Sequence, residues 1–272
     1  MRKLLRADFY RLRKNKVLWL YAAISFIFSA FILYKLRSNE DQISTLEMAM
    51  MEVFPFFPIF YGTFSGLFLG VEYQDGTLRN KLIAGHFRWN VYLSALVTVI
   101  AGCFLIVLAW ILGSAASALA LGTFKLGGGV ELLMNAVLIL MLTAAEASLL
   151  TLIAMLIPSR AASAVVSILA MLGLVAIGGI IYNALCEPEF ASSAILTANG
   201  IEISDPSPNP YYISGTLRKI YQFLVDVLPG GQAVLLANQE LTHPTFSLCA
   251  SFGIVLITSI AGIVCFKRKD MK

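Results

Sequence analysis

The chain has 272 residues, of which 58% are hydrophobic and only 13% charged, and its formal net charge is +4. Soluble domains are about one quarter charged, whereas apolar residues here gather into uncharged runs of 18 or more, enough to cross a hydrocarbon core of ~30 Å. The composition excludes an ordinary soluble domain and predicts an all-α, polytopic membrane protein that forms a single transmembrane domain over 1–272.

The amino-terminal segment, residues 1–16, is basic, with apolar side chains interleaved. It predicts an interfacial helix lying on the inner leaflet; the alternative is a plain basic flank of the first span. The uncharged run Val17–Tyr34 follows. Because Tyr34 to Arg37 offers no small-residue cleavage pattern, this run predicts a retained first span rather than a signal peptide.

The second and third apolar runs decide whether the chain has six or seven spans. The second carries Pro55 and Pro58 near its start, where a helix tolerates proline. Residues 89–124 are uncharged and would extend ~54 Å as a helix, too long for one perpendicular span and too short for two spans with a turn. A seventh span would place the basic carboxyl terminus outside, against the positive-inside rule. One long, tilted or protruding third span is therefore predicted.

Six spans follow from these runs, with both termini on the cytoplasmic side. The predicted spans are about 17–34, 53–71, 91–120, 132–157, 161–186 and 246–266. Fifteen of the twenty Lys and Arg residues then lie on the cytoplasmic side. The five on the outer side are Lys35, Arg37, Lys125, Arg218 and Lys219.

The outer segment, 187–245, precedes the sixth span. Its first part is rich in Ser, Asn, Asp and Pro and is expected to be loop. Apolar residues then recur at helical spacing from Leu217 to Leu228. This amphipathic stretch is predicted to end at Pro229-Gly230-Gly231, with a second short helix over Gln232–Leu241. The pair is predicted to form short re-entrant helices in the outer leaflet.

Few residues carry recognisable chemistry. No Gly-x-x-x-x-Gly-Lys-Ser/Thr motif, Gly-x-Ser-x-Gly elbow or His-Glu-x-x-His helix occurs, so no catalytic residue, metal ligand or nucleotide site is predicted. The four cysteines are interpreted as packing residues, with a disulfide between Cys186 and Cys249 left open. Glu146 is the one acidic or basic residue within the predicted spans. Either a substrate-path or gating role or a structural polar contact would explain it.

A short charged segment, 72–88, lies between the second and third spans. Its basic residues Arg79, Lys81 and Arg88 predict that it lies at the cytoplasmic face. The pattern Glu72-Tyr73-x-x-Gly76-Thr77-Leu78-Arg79-Asn80-Lys81-Leu82, with Gly85, Arg88 and Val91 to Ser94 after it, resembles the membrane subunit of type-2 ABC transporters. This permease superfamily includes bacterial antibiotic-resistance and peptide-export permeases. A weaker similarity covers Phe223 to Gln232.

The resemblance implies that residues 72–88 are a coupling segment, with a helix from Glu72 to about Gly85 docked in a cleft of a separate ATPase subunit. The residues implied to contact the ATPase are Glu72, Tyr73, Asp75, Gly76, Thr77, Leu78, Arg79, Lys81 and Leu82. Reversing the charges of Arg79 and Lys81 would then uncouple ATP hydrolysis from transport and leave the fold intact. The amino-terminal helix would add a second contact.

The resemblance also implies partners and a location. Two ATPase copies would bind ATP and Mg²⁺, and a second permease, identical or paralogous, would complete a path for an amphipathic peptide, antibiotic or similar cargo. The location would be the bacterial cytoplasmic membrane, and no nucleic acid would be bound. Two alternatives are an immunity or sensor subunit that binds a partner without transport, and a secondary carrier that uses Glu146.

Overall fold

A computed structural model of the chain describes residues 1–37, 51–121, 129–192, 194–197, 200–203, 205–241 and 243–269. Lys125, which the charge count places on the outer side, lies outside these ranges. The helices are α1 (Arg2–Lys14), α2 (Lys16–Arg37), a 3-10 turn (Phe54–Phe56), α3 (Phe57–Gln74), α4 (Thr77–Ile83), α5 (Arg88–Leu121), α6 (Gly129–Leu156), α7 (Arg160–Cys186), α8 (Gly215–Val227), α9 (Pro229–Asn238) and α10 (Pro244–Arg268). The strands are β1 (Phe190–Ala191), β2 (Ala194–Thr197), β3 (Gly200–Ile203) and β4 (Ser207–Pro208).

Six helices of the described chain are long and apolar enough to cross a membrane: α2, α3 with its preceding 3-10 turn, α5, α6, α7 and α10. This confirms the prediction of an all-α membrane protein with six spans. The third apolar run forms one continuous helix of 34 residues, as predicted. Its start and end lie within a few residues of the apolar run, because no turn-forming cluster interrupts it.

The bundle has a buried centre and a lipid-facing periphery. Helices α3, α5 and α6 bury half or more of their apolar windows, whereas α2, α7 and α10 bury much less. Around this centre, α2 packs along α5, α3 along α7, and α6 along α10. The fully buried side chains at the centre include Tyr61, Phe64, Tyr92, Ile106 and Leu142.

Small residues allow α3 and α7 to pack at close range. Three glycines recur every fourth residue on α3, at Gly62, Gly66 and Gly70. A Cβ added at Gly66 would lie 2.5 Å from the Cα of Ala164 on α7. Such spacing is typical of membrane helices that associate through backbone contact, because lipid provides no hydrophobic force to drive them together.

The two ends of the bundle differ. At one end α1, α4 and the carboxyl terminus of α10 meet, and we call this end the basic face. At the other end, called the hairpin face, lie the four strands and the α8–α9 pair, which bend by 91° at their junction. The amino-terminal segment forms a helix, α1, and its residues Leu4, Asp8 and Leu12 are buried.

The expectation of plain loop after the fifth span was wrong. Strand β1 pairs with β4 and β2 with β3, both antiparallel, so the chain runs out from α7 and returns as a narrow ribbon. The side-chain amide of Asn209 closes its base by donating to Glu187 Oε2 at 2.8 Å and to the carbonyl of Pro188 at 3.1 Å. Strands of two to four residues are too short for their alternation to stand out in a polar sequence.

The two outer helices also differ from their predicted bounds. Pro229-Gly230-Gly231 is the first turn of α9 rather than a break before it, because proline at the first helical position lacks only an N–H that has no partner there. The glycines let α9 approach its neighbours: a Cβ at Gly230 would collide with the carbonyl of Leu174 on α7. Helix α9 ends at Asn238, where Gln239 adopts a left-handed conformation with φ 57°.

The four cysteines are unpaired in the structure, with Cys103 buried and the other three exposed. Cys103 therefore has the environment of a small packing residue, as its place in an apolar run suggested. Cys186 and Cys249, the pair whose connection the sequence left open, form no disulfide.

Candidate functional site

The segment between α3 and α5 consists of two turns with a short helix between them. Helix α3 ends at Gln74, the chain reverses at Asp75 and Gly76, and α4 covers Thr77–Ile83. Gly76 has φ 64° and Gly85 has φ 82°, a left-handed conformation that glycine adopts without steric cost. The expected helix from Glu72 to Gly85 is therefore interrupted, because Glu72 still belongs to α3 and a glycine stands at each turn.

A buried cluster of charges fixes this segment to α1. Lys81 Nζ lies 2.7 Å from Asp8 Oδ1 and 2.9 and 3.0 Å from the two oxygens of Glu72. Arg11 also donates to Glu72 Oε1, and Ser94 Oγ donates to Asp8 Oδ2 at 2.6 Å. Asp8 and Glu72 are each 1% exposed. The cluster thus joins four helices, α1, α3, α4 and α5, through two buried carboxylates and two partly buried cations.

The cluster is balanced in charge, with two carboxylates and two cations. Arg11 is further held by α3, because its guanidinium lies 4.8 Å from the centre of the Phe68 ring and Nη2 donates to the Phe68 carbonyl at 3.3 Å. Buried ion pairs contribute little net stability when intact, but removal of one partner leaves an uncompensated charge and is strongly destabilising. The cluster therefore specifies how α1 docks.

Sequence reasoning missed Asp8 and Arg11. A signal for Asp8 was nevertheless present: Leu4, Asp8 and Leu12 are spaced by four residues, so they lie on one face of a helix. Asp8 is also the only acidic residue among residues 1–39. An ionised carboxylate in the apolar stripe of a basic helix is stabilised by a nearby cation, and the partly buried Lys81 is that cation in the structure.

A second set of contacts ties the carboxyl end of α10 to the same face. Lys269 Nζ donates to the hydroxyl of Tyr73 at 2.8 Å and to the carbonyls of Met155 and Leu156 at 3.1 Å each. It also lies 4.1 Å from the centre of the Tyr73 ring. Because Lys269 is partly buried, desolvation lowers its pKa. These bonds satisfy the last carbonyls of α6 with a cation, the charge that the negative end of a helix dipole favours.

Arg88, at the start of α5, binds the last carbonyls of α10 in the same way. Its Nη1 donates to the carbonyls of Phe266 at 3.0 Å and of Lys267 at 3.2 Å, and also to the carbonyl of Lys269. The two clamps hold the ends of α3, α5, α6 and α10 in one assembly. Motion of α4 would therefore be transmitted to several spans at once.

The nine residues singled out from the sequence occupy two sides of this segment. Glu72 and Leu78 are buried, and Asp75 and Arg79 are exposed. The partly buried ones are Tyr73, Gly76, Thr77, Lys81 and Leu82. Beyond them, Ile83 is 73% and Phe87 is 68% exposed. The structure thus separates an inner side that packs on the bundle from an outer side that is open to a partner.

Glu146 lies far from this segment, inside the bundle. It is 1% exposed, and it lies in the neighbourhood of Tyr61 of α3 and Cys103 of α5. Within the described residues its Oε2 has no hydrogen-bond partner. Glu146 therefore faces neighbouring helices of its own protomer rather than the lipid-facing surface.

One comparison with known proteins gives a match. A family model described as "ABC-2 family transporter protein" matches residues 4–178, from α1 through the buried cluster and into α7. No curated protein matches the chain. The matched region contains every residue of the charged cluster described above.

Proposed function

Because the chain belongs to the ABC-2 transporter family, and so is a multi-pass membrane subunit of an ABC transporter, we propose that it is the permease of an ATP-driven exporter. Membership of the family implies association with an ABC ATPase. The proposed cargo is an amphipathic peptide, an antibiotic or a similar membrane-active compound. Two ATPase copies would supply the bound ATP and Mg²⁺, and the membrane would be the bacterial cytoplasmic membrane.

The observation that carries this proposal is the two-sided character of the segment 72–88. Its inner side is fixed by Glu72 and Lys81 to α1, and its outer side presents exposed residues. An element held rigidly to several spans transmits rigid-body motion into the membrane, whereas a loosely attached loop would absorb it. We propose that Asp75, Arg79 and the flanking Ile83 contact the ATPase directly.

The remaining residues of the segment would then shape this surface. Gly76 provides the turn that orients α4, and Thr77 Oγ1 donates to the carbonyl of Glu72 at 3.2 Å. Tyr73, Leu78 and Leu82 would set the position of α4 through packing.

The proposed path for cargo lies between two permease subunits. Helices α2, α7 and α10 bury the least of their surface within one protomer and expose large apolar side chains. Such surfaces suit lipid or a second permease, identical or paralogous, and we propose the second for part of this area.

The direct test is retention of the ATPase by Arg79→Glu. Lys81 is unsuitable for charge reversal, contrary to the expectation from the sequence, because it neutralises two buried carboxylates. We expect detergent-solubilised wild-type protein to co-purify with an ATP-binding subunit and Arg79→Glu to lose it at an unchanged melting temperature. Lys267→Glu, exposed on the same face, is the control and should retain it. Retention and coupled transport by Arg79→Glu would contradict the proposal.

A second candidate function, proton-coupled carriage through Glu146, is motivated by its unpartnered Oε2. It requires transport without an ATPase and a pH dependence that Glu146→Gln abolishes. The exporter proposal expects ATP-dependent transport to persist in Glu146→Gln. The remaining alternative, an immunity or sensor subunit, expects partner binding with no cargo movement in reconstituted vesicles.

A further inference from the structure

An apolar groove of about 750 Å³ lies beside the elbow between α1 and α2. The elbow contributes Leu12 and Leu18, both buried, and α5 contributes Ala101, Leu105 and Leu108. Residues 101–108 of a helix extend over ~10 Å, so the groove runs from the elbow toward the interior of the membrane. Its volume is within the range of about 300–1,000 Å³ typical of small-molecule sites.

The charged residue of the lining is Arg13. The indole N–H of Trp19, another lining residue, donates to the Arg13 carbonyl at 2.8 Å and so fixes the elbow. Both side chains are exposed. Tryptophan and arginine side by side are typical of the boundary between headgroups and hydrocarbon.

The charge at the elbow is uncompensated. Residues 9–39 contain no Asp or Glu, and within the described residues the side chains of Arg13, Lys14 and Lys16 form no ion pair. Arg11, on the other side of α1, is instead paired with Glu72. Helix α1 therefore directs Arg11 to the protein and leaves Arg13 exposed in the lining of the groove.

We propose that this groove binds one anionic phospholipid, with an acyl chain along α5 and the phosphate at Arg13. The apolar lining suits a hydrocarbon chain and has little to offer a polar metabolite. The exposed Arg13 in its lining matches a phosphate that carries net negative charge. A zwitterionic lipid would bring its own cation next to Arg13 and gain less.

The test uses quenching of Trp19 fluorescence by brominated phospholipids added to the purified full-length protein in micelles. The Trp19 signal is the difference between wild type and Trp19→Phe. We expect brominated phosphatidylglycerol to quench at about five-fold lower lipid fraction than brominated phosphatidylcholine, the preference that one basic side chain near an anionic surface confers. Arg13→Gln should bring the ratio near one.

Two variants separate this site from general attraction to lipid. Arg6→Gln removes an exposed charge of the same helix that does not line the groove and should leave the ratio unchanged. Ala101→Phe fills the groove and should abolish saturable quenching by phosphatidylglycerol. Equal ratios in Arg6→Gln and Arg13→Gln, or no effect of Ala101→Phe, would show diffuse attraction or bulk lipid contact and overturn the proposal. Because Arg13 is exposed, Arg13→Gln tests the headgroup contact even if Ala101→Phe fails to fold.

Discussion

Two basic residues of α4 stand two positions apart and have opposite roles. Lys81 contacts Asp8 and Glu72, while Arg79 is exposed. We expect Lys81→Met to lower the free energy of unfolding by on the order of 3–5 kcal/mol, because it leaves buried carboxylates without their shared cation. Arg79→Met, which removes the same charge from the same short helix, should leave the melting temperature unchanged.

Thermal melts of both variants in detergent provide the measurement. Equal melting temperatures for Lys81→Met and Arg79→Met would mean that water reaches the cluster and that α1 is not fixed by it. Destabilisation by Lys81→Met that Asp8→Asn partly reverses would show the coupling between these two residues directly, since interacting sites are non-additive.

The sequence shows where the charged residues lie along the chain, but it does not show which of them form ion pairs. It places Glu72 and Lys81 in one short segment, where a solvated turn and a buried cluster are equally compatible with the composition. The deciding contact, with Asp8, connects residues 73 positions apart, and no local pattern encodes such a distance. The spacing of Leu4, Asp8 and Leu12 predicts that Asp8 is buried but does not identify its partner.

At the scale of the elements, the close packing of α3 against α7 depends on glycines of α3, which have no side chain. A Cβ at Gly66 would meet the backbone of Ala164, which cannot move aside as a flexible side chain would. Gly66→Ala should therefore separate the helices and lower stability by about 1–3 kcal/mol, the usual cost of overpacking. Gly173→Ala, on α7 with no atom within 4 Å of the added Cβ, should be neutral or stabilising by up to about 1 kcal/mol, since alanine favours helix.

The two glycine variants are compared by melting temperature and by yield of monodisperse protein. The structural account of this packing would be refuted by a Gly66→Ala protein at least as stable as Gly173→Ala.

The carboxyl end of α10 is held by Lys269 rather than by apolar packing alone. Lys269→Met should remove the bonds to Tyr73 and to the last carbonyls of α6, at a cost of about 1.5–3 kcal/mol for a charged donor. Amide exchange should rise at the end of α6 and in α10. Lys267→Met, an exposed change two residues earlier, should leave exchange unchanged, and an equal rise in both variants would argue against the clamp.

Elements differ in how far the sequence predicts them. Six spans follow from long uncharged runs because each such helix is stabilised mainly by its own apolar length in the membrane. The ribbon β1–β4 could not be predicted from the sequence, because its strands depend on partners up to 18 residues away, as in the pairing of Phe190 with Pro208. The start of α9 was misplaced because Pro-Gly-Gly usually marks a break, whereas here the glycines serve close packing against α7 and α8.

For the whole molecule, the clustering of charge predicts orientation. The basic face gathers α1, α4 and the end of α10, and the hairpin face lies at the other end of the bundle. Fourteen of the eighteen described Lys and Arg residues belong to segments at the basic face, and such an excess retains a face on the cytoplasmic side during insertion. Both termini should therefore be cytoplasmic, and the ribbon between α7 and α8 should lie outside.

Reporter insertions test this orientation. A reporter active only in the cytoplasm should work at either terminus and fail after Asp205 in the ribbon, while one active only outside should show the reverse pattern. Arg79 provides the control for the middle of the chain. After the four native cysteines, three of which are exposed, are replaced by alanine, a single cysteine introduced at Arg79 should resist an impermeant thiol reagent in intact cells and react in inverted vesicles. If Arg79→Cys is labelled from outside, α4 cannot meet a cytoplasmic ATPase, and the proposed coupling role is lost together with the orientation. If it is labelled only from inside, α4 lies on the side of the membrane that the proposed contact with the ATPase requires.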